Sequence, residues 1–311
     1  MGSEKIVAVV GDSHGQDVRL MDLMYAAHEA GARDFRFLGD LHHGGGVGGD
    51  LGVWETVELL VASPGEFGHG WKHADAELVF GNHEEMLWDF GMVLAKAMPK
   101  GTEAVQELVE RDHAKGENAC GELWARMGHG CQQVLEAAKL YSRTGIMDPN
   151  GREYLVIHAG ITPDMWFHGN SLASLPSVAL GDMSRAERKV AAKCTRVRWL
   201  KPIDPADEKA MRRHPSGWKM AQVGANDSAE GLTRWWDLYD EEAADDFGGY
   251  HLVVGHEPVR EVTVNRHGTV TAIDTGAKKR GGKLTAMLLQ DGAKPRFLSV
   301  STRGTGEWFG E

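Results

Sequence analysis

The sequence predicts an α/β protein built on layered sheets, and three observations carry that expectation. Short apolar runs that end in Gly-Asp, Gly-Asn or a histidine alternate with stretches of helical spacing. Polar residues suited to chemistry collect where those runs end, which is where sheets of this class place their ligands. The 311 residues suffice to bury one large core, and no repeat or low-complexity linker divides them, so a single domain over 1–311 is expected.

Lys5 to Val10 is a nearly continuous apolar run and reads as a buried parallel strand. Val18 to Ala30 sets Leu20, Leu23, Met24 and Ala27 on one helical face, with Gly31 closing the helix. Phe35 to Leu38 is a second strand, Gly44 to Gly52 a Gly-rich loop, Trp54 to Ala62 a helix, and Ala76 to Phe80 a third strand. From Glu85 to about Tyr141 the chain is rich in Ala, Glu, Lys, Leu and Met. That predicts helices that interrupt the sheet, and the part from about 91 to 141 is expected to cap the site and limit substrate size. Leu155 to Ile157 resumes strand character. Residues 161–247 are loop-rich and carry Trp166, Trp199, Trp218, Trp235 and Trp236. A stretch like this reads as a functional lid, with most tryptophans packing it onto the sheet and others available to stack on a base. Strands return at Tyr250–Val254, Glu261–Asn265, Val270–Asp274 and Lys283–Gln290.

A quarter of the residues are charged, ordinary for a globular chain, but the formal net charge is −11. That argues against a sequence-tolerant grip on duplex nucleic acid, which needs clustered Lys and Arg. It leaves phosphorylated substrates open, because bound divalent cations reverse the field inside an acidic site. Cys120, Cys131 and Cys194 form an odd, widely spaced set without a CxxC pair, which fits buried thiols in a reducing compartment. The N-terminus runs straight into a strand without a signal-peptide core, and Ile6 stands where a myristoylation motif needs Ser or Thr. No stretch has the length of a membrane span. The expectation is a cytoplasmic protein that does not act on membranes.

Five short motifs place a candidate ligand or proton donor just after an apolar run: Gly11-Asp12-Ser13-His14-Gly15, Gly39-Asp40, Gly81-Asn82-His83-Glu84, His158-Ala159-Gly160 and Gly255-His256. Each alone is an ordinary turn, and His158 alone would read as a satisfied core histidine. Together they put Asp, His and Asn at the ends of five buried strands, for which a fold by itself has little use.

In these motifs the chain resembles the calcineurin-like metallophosphoesterases, and among them the phosphoprotein phosphatase branch, which shares GDxHG, GDxxDRG, GNHE, HAG and GH. The likeness runs from Ile6 to about Asp291. His158 to Pro163 and Thr195 to Trp199 are similar to segments of the bacterial symmetrical diadenosine tetraphosphatases. Trp235 to Asp240 with Val254 to Pro258 resembles related bacterial bis-nucleosyl tetraphosphatases and small phosphatases, and Asp274-Thr-Gly276 with Gly281 to Thr285 recurs across the branch. The resemblance implies a layered β-sandwich flanked by helices. It further implies two divalent cations, the first on Asp12 and His14, the second on Asn82, His158 and His256, with Asp40 bridging. Mn²⁺ leads for such a donor set, with Fe, Zn²⁺ or Mg²⁺ as alternatives. A hydroxide between two cations about 4 Å apart would attack phosphorus in line, and His83 would protonate the leaving oxygen. Arg196 and Arg198 alternate, so in a strand both would point to one face, and the resemblance to the tetraphosphatases implies that at least one of them clamps phosphate. Lys278, Lys279 and Arg280 read more readily as a solvated loop than as part of the site.

The match breaks at one place. The family's Asp-Arg pair is His43-Gly44 here, so the orienter of the acid and a bidentate phosphate clamp are both missing. Asp50 or Glu84 is a candidate replacement, or His43 itself acts on the leaving group. Three readings follow: hydrolysis of a small phosphorylated molecule such as a nucleotide or dinucleoside polyphosphate, hydrolysis of phosphoserine or phosphothreonine in proteins, and binding of a phosphorylated ligand without turnover.

Overall fold

A computed structural model describes residues 5–62, 65–67, 71–116, 119–167, 172–221, 230–301 and 307–309. The apolar runs become β1 (Ile6–Val10), β2 (Asp34–Phe37) and β5 (Asp75–Leu78), joined by α1 (Asp17–Glu29) and α2 (Gly46–Ala62), with a short hairpin of β3 (Gly65–Phe67) and β4 (Trp71–His73) between α2 and β5. Next come α3 (Asn82–Ala97), α4 (Thr102–His113), α5 (Gly121–Arg126) and α6 (His129–Ala137), so the helical stretch predicted from Glu85 onward is present. Two strands follow, β6 (Tyr141–Met147) and β7 (Glu153–Ile157). The region predicted as a loop-rich lid holds α7 (Pro163–Trp166), α8 (Arg185–Cys194), β8 (Trp199–Pro202), α9 (Glu208–Arg213), β9 (Trp218–Ala221), β10 (Thr233–Arg234) and α10 (Glu241–Asp246). The chain closes with β11 (Tyr250–Val254), β12 (Thr263–Val264), β13 (Val270–Ala272), β14 (Lys283–Gln290), β15 (Arg296–Ser301) and β16 (Glu307–Phe309).

Two sheets dominate. One runs β16-β15-β14-β1-β2-β5 and the other β12-β13-β11-β7-β6. Successive residues of β1 point to opposite faces, so Val7 and Val9 enter the layer between the sheets. There they meet Tyr154, Val156, Val253, Ile273, Met287 and Leu289. Ala8 and Val10 face the other way and belong to the core that holds Leu20, Leu23, Met24 and Ala27 of α1 and Val53, Trp54 and Val57 of α2. Each fully buried Val or Leu there contributes on the order of 2 kcal/mol. The product is a β-sandwich flanked by helices.

Strand register decides where the motifs go. β1, β2 and β5 are parallel, with Val10 beside Phe37 and Phe37 beside Leu78. β7 and β11 are parallel in the second sheet, with Val156 beside Val253. Asp12, Asp40, Asn82, His158 and His256 each follow these aligned positions by two to four residues. All five therefore emerge at one edge of the sandwich.

Two local expectations fail for identifiable reasons. The predicted Gly44–Gly52 loop is helical from Gly46. A Cβ at Gly45 or Gly49 would lie 1.9 or 2.4 Å from the Gly15 carbonyl oxygen. The glycines are thus there for close approach of the first turns of α2 to the Asp12–Gly15 loop, and not for an open chain. Residues 161–247 also carry more regular structure than their loop-rich composition suggests, including a three-stranded sheet ordered β10-β8-β9. Residues 168–171 and 222–229 of that stretch lie outside the described residues. Trp166, Trp235 and Trp236 are buried, so these rings serve packing. Among the described residues no helix is long and apolar enough to cross a membrane.

Candidate metal centre

Backbone geometry at the strand ends is unusual. Among the described residues the non-glycine positions with positive φ are His14, Asp40, His43 and His256, at 44°, 48°, 69° and 65°. Left-handed backbone costs about 1–3 kcal/mol at such residues and persists where surrounding contacts over-determine it. Here the contacts are specific. His14 N donates to Asp40 O at 2.9 Å and Gly15 N to Leu41 O at 2.7 Å. Glu84, at the start of α3, accepts from Asp40 N at 2.7 Å, Leu41 N at 2.9 Å and Gly81 N at 2.8 Å. One buried carboxylate therefore ties the β2 loop to the β5–α3 turn. Burial alone would raise its pKa, but the neighbouring His42 imidazole, helped by the Leu41 amide, holds it down at about 2.

The two sheets are stitched across the site. Between the sheets His256 N donates to Asp12 Oδ2 at 2.8 Å, and within the second sheet Gly255 N donates to His158 O at 2.7 Å. His158 Nδ1 donates to Leu38 O at 2.6 Å, which turns Nε2 inward. That Nε2 lies 3.4 Å from Asp40 Oδ1 and 3.2 Å from His256 Nδ1. His14 Nδ1 is 3.1 Å from His42 O, leaving its Nε2 for the site. Two sets of donor atoms converge, His14 with Asp40 and His83, and Asp40 with His158 and His256. Asp40 belongs to both.

These residues fit a pair of divalent cations on independent grounds. Asp12 Oδ1 and Asn82 Oδ1 are buried without a hydrogen-bond partner, a costly condition for polar oxygens unless something binds them. Gly255 and Gly81 leave the space: a Cβ at Gly255 would sit 2.0 Å from Asp12 Oδ1, and one at Gly81 2.3 Å from Asp40 Oδ1. The electrostatics also ask for positive charge. Burial lowers the pKa of His158, but the carboxylates of Asp40 and Asp12 overcome it and raise the value to about 10. Burial and the nearby Asp274 push Asp12 well above the usual carboxylate range. Burial alone would raise Asp40, yet the imidazoles of His158 and His83 hold it well below that range. Imidazole, carboxylate and amide oxygen form a donor set suited to Mn²⁺, Fe or Zn²⁺. Gly255→Ala is expected to displace the Asp12 carboxylate and lower bound metal by about one ion per chain; elemental analysis of the purified variant, with its melting temperature as a control on folding, checks this.

The remaining predicted residues lie around this centre. His83 Nε2 is 3.7 Å from Asp40 Oδ2, and its Nδ1 meets Nδ1 of His43. His43 Nε2 is 3.3 Å from Ala119 O, and burial next to His42 and His83 pushes the His43 pKa down to about 3. Burial lowers His83 as well, with the Asp40 carboxylate opposing. Neither suggested substitute orienter reaches His83. Glu84 is committed to backbone amides and His42. Asp50 Oδ1 accepts from Gly45 N at 3.4 Å and so secures the start of α2.

Thr195–Trp199 is not the strand expected from its alternation. The end of α8 runs on as turns, with Val197 N donating to Lys193 O at 3.0 Å, and only Trp199 enters β8. Arg196 and Arg198 consequently do not share a strand face. Arg196 pairs with Glu85, and Arg198 Nη2 donates to His256 O at 3.1 Å beside Glu257. Lys278, Lys279 and Arg280 are exposed.

Two residues at the centre were not singled out as ligands or catalysts from sequence. Asp274 is buried, its Oδ2 has no hydrogen-bond partner, and burial raises its pKa. His42 is fully buried with neither ring nitrogen hydrogen-bonded. Asp274 had a signal in the recurring Asp-Thr-Gly; His42 had none beyond its place beside His43.

A sequence description of calcineurin-like phosphoesterases matches residues 6–260. No curated protein sequence matches the chain. Among solved structures, one described as "a putative diadenosine tetraphosphatase" is 18% identical, with 98% of this chain and 96% of that chain covered and a TM-score of 0.53, which shows a shared fold. A cold-active protein-tyrosine phosphatase of a psychrophile Shewanella sp. is 16% identical, with 98% and 80% covered and a TM-score of 0.48. A protein serine/threonine phosphatase from Saccharomyces cerevisiae is 14% identical, with 98% and 82% covered and a TM-score of 0.45.

Proposed function

Because the chain belongs to the calcineurin-like phosphoesterase family and is a phosphoester hydrolase, we propose that it works with two divalent cations on a small phosphorylated molecule, a nucleotide or dinucleoside polyphosphate leading. Asp12 and His14 would hold the first cation, Asn82, His158 and His256 the second, and Asp40 both. When bound, such a pair supplies positive charge for phosphoryl oxygens and the acidity that makes water a nucleophile at neutral pH. The carrying observation is the convergence of two donor sets on Asp40 beside unpartnered oxygens of Asp12 and Asn82.

The chain's own residues do the rest. Asp40 draws the donors of both sheets together and is held ionised by His158 and His83. His83 Nε2 faces the same carboxylate and is the proton donor to the leaving oxygen, with His43 supporting its ring. Arg198 stands at the His256 end, where its exposed part can meet a phosphate; Arg196 would have to leave Glu85 to do so, which ranks it second.

A cavity of about 750 Å³ opens beside His43, walled by Gly44, Val47 and Asp50 on one side and Val109, Asp112 and Leu123 on the other. That volume suits a small organic leaving group rather than a folded protein. Its second wall comes from α4 and α5, within the segment 91–141 proposed as a cap, and the glycines at 44–46 replace the family's Arg where the cavity begins. On this reading the large substrate group would lie here.

The test loads metal-free protein with Mn²⁺, Zn²⁺ or Mg²⁺ and offers an aryl phosphate, an aryl phosphodiester, nucleoside mono-, di- and triphosphates, diadenosine tetraphosphate and a phosphopeptide. Turnover led by a nucleotide supports the reading, and fast turnover led by the phosphopeptide sinks it. Val109→Trp narrows the cavity from its exposed side. It is expected to lower kcat/KM on the best nucleotide by about 10-fold, equivalent to ~1.4 kcal/mol, while the aryl phosphate is hydrolysed at the parent rate.

A further inference from the structure

His42, His43 and His83 each offer a ring nitrogen, and the three lie within 4.8 Å of one another. All three side chains are buried. We propose that these histidines hold a third divalent cation of the zinc class, which takes over from the missing carboxylate the task of setting which nitrogen of His83 carries the proton. The inference rests on the reading of His83 as proton donor.

The outer nitrogens already face the kinds of group that metal-bound histidines require. A ligating imidazole ordinarily turns its other nitrogen to a carboxylate or a carbonyl, which fixes tautomer and ring orientation. His42 Nδ1 lies 3.4 Å from Glu84 Oε1, and His43 Nε2 lies 3.3 Å from Ala119 O. That leaves His42 Nε2 buried without a partner and leaves His43 Nδ1 turned to His83 Nδ1. His43 reaches this position on a left-handed backbone, φ 69°. Three neutral imidazoles suit zinc, and His43 borders the cavity, so a fourth position opens toward water or substrate.

Without a cation, hydrogen bonding alone puts the proton on the wrong atom. The Ala119 carbonyl only accepts, so His43 carries its proton on Nε2 and presents a bare Nδ1. Neutral His83 must then donate from Nδ1, which leaves its Nε2 bare where it faces Asp40. A cation on His83 Nδ1 reverses this, because the single proton of the neutral ring must then sit on Nε2. The charge also falls beside Gly44, where the family's Arg is absent. Binding at Nδ1 thus moves the ring's one proton from Nδ1 to Nε2 and releases none.

The experiment titrates metal-free protein with zinc alone, counts bound zinc after desalting, and repeats the loading with Co²⁺ to record the visible absorption of a tetrahedral nitrogen site. The parent is expected to bind three per chain, and His42→Gln two, with loss of the tetrahedral cobalt band. Asp40→Asn should lose zinc from the other two sites and keep the band. Equal zinc and identical cobalt spectra in parent and His42→Gln overturn the proposal, and the two-cation reading then stands or falls on Asp40→Asn. A single zinc that is lost in His42→Gln and kept in Asp40→Asn sustains the third site and removes the pair. If His42→Gln melts below the working temperature, His43→Gln gives the same decision.

Discussion

Asp40→Asn is expected to lower kcat/KM on the best phosphoester by at least ~10³-fold, beyond the 10–100-fold typical of outer-shell partners of a metal, and to leave the protein folded. The carboxylate belongs to both donor sets, so its loss would remove charge from both of the proposed cations at once. Asn keeps the shape and is the non-glycine side chain that best tolerates the left-handed backbone at φ 48°. Its Oδ1 can still accept from His83 N, which lies 3.1 Å away in the parent. A second readout separates electrostatics from misfolding. In metal-free protein the His158 imidazole, now raised to about 10 chiefly by Asp40, should titrate nearer its ordinary value, as seen by NMR. Turnover within 10-fold of the parent, or unchanged metal content, would refute the central place given to Asp40.

Glu84→Gln is expected to cost on the order of 3 kcal/mol of stability, the scale of a buried charge network broken on one side, together with most of the bound metal. Asp40 N and Gly81 N both donate to Oε2, Leu41 N donates to Oε1, and His42 lies beside Oε1. Either orientation of a Gln amide turns its NH₂ toward at least one backbone donor. Asp40 would then lose the support of its strained backbone, and the site would open with it. The pH dependence follows from the same contacts. The folded pKa, about 2, lies below the ordinary glutamate value of 4.5. The stabilisation is therefore fully present above pH 4.5 and is lost as pH falls toward 2, amounting to about 3 kcal/mol at 1.36 kcal/mol per unit. Urea unfolding of parent and variant at pH 7 and pH 3 checks both the size and the sign: the difference between them should shrink at pH 3, and a constant difference would show that the charge is not what matters.

These two residues show how differently sequence and structure inform the site. Asp40 was legible because a polar residue after an apolar run violates what burial alone favours, and because four further runs break the same rule. The strands that carry the motifs were legible for the related reason that a continuous apolar run such as Ile6–Val10 has few other uses. Glu84 was visible as a letter of its motif, but its role was not. Three amides from two loops converge on it only after β2 and β5 pair in register. The Gly44–Gly52 segment misled for the same kind of reason: glycine composition signals an open chain locally, whereas here it permits contact with Gly15, thirty residues away.

The sequence by itself determined the fold class, the family resemblance and the set of candidate ligands at the strand ends, since each rests on local pattern and residue type. Tertiary structure alone decided which of those side chains share atoms, that Asp40 is common to two donor sets, and that Arg196 is tied to Glu85. It also brought His42 into a cluster with His43 and His83. Those facts depend on strand register, on backbone strained into left-handed turns and on contacts between segments distant in the chain, none of which any local stretch of residues encodes.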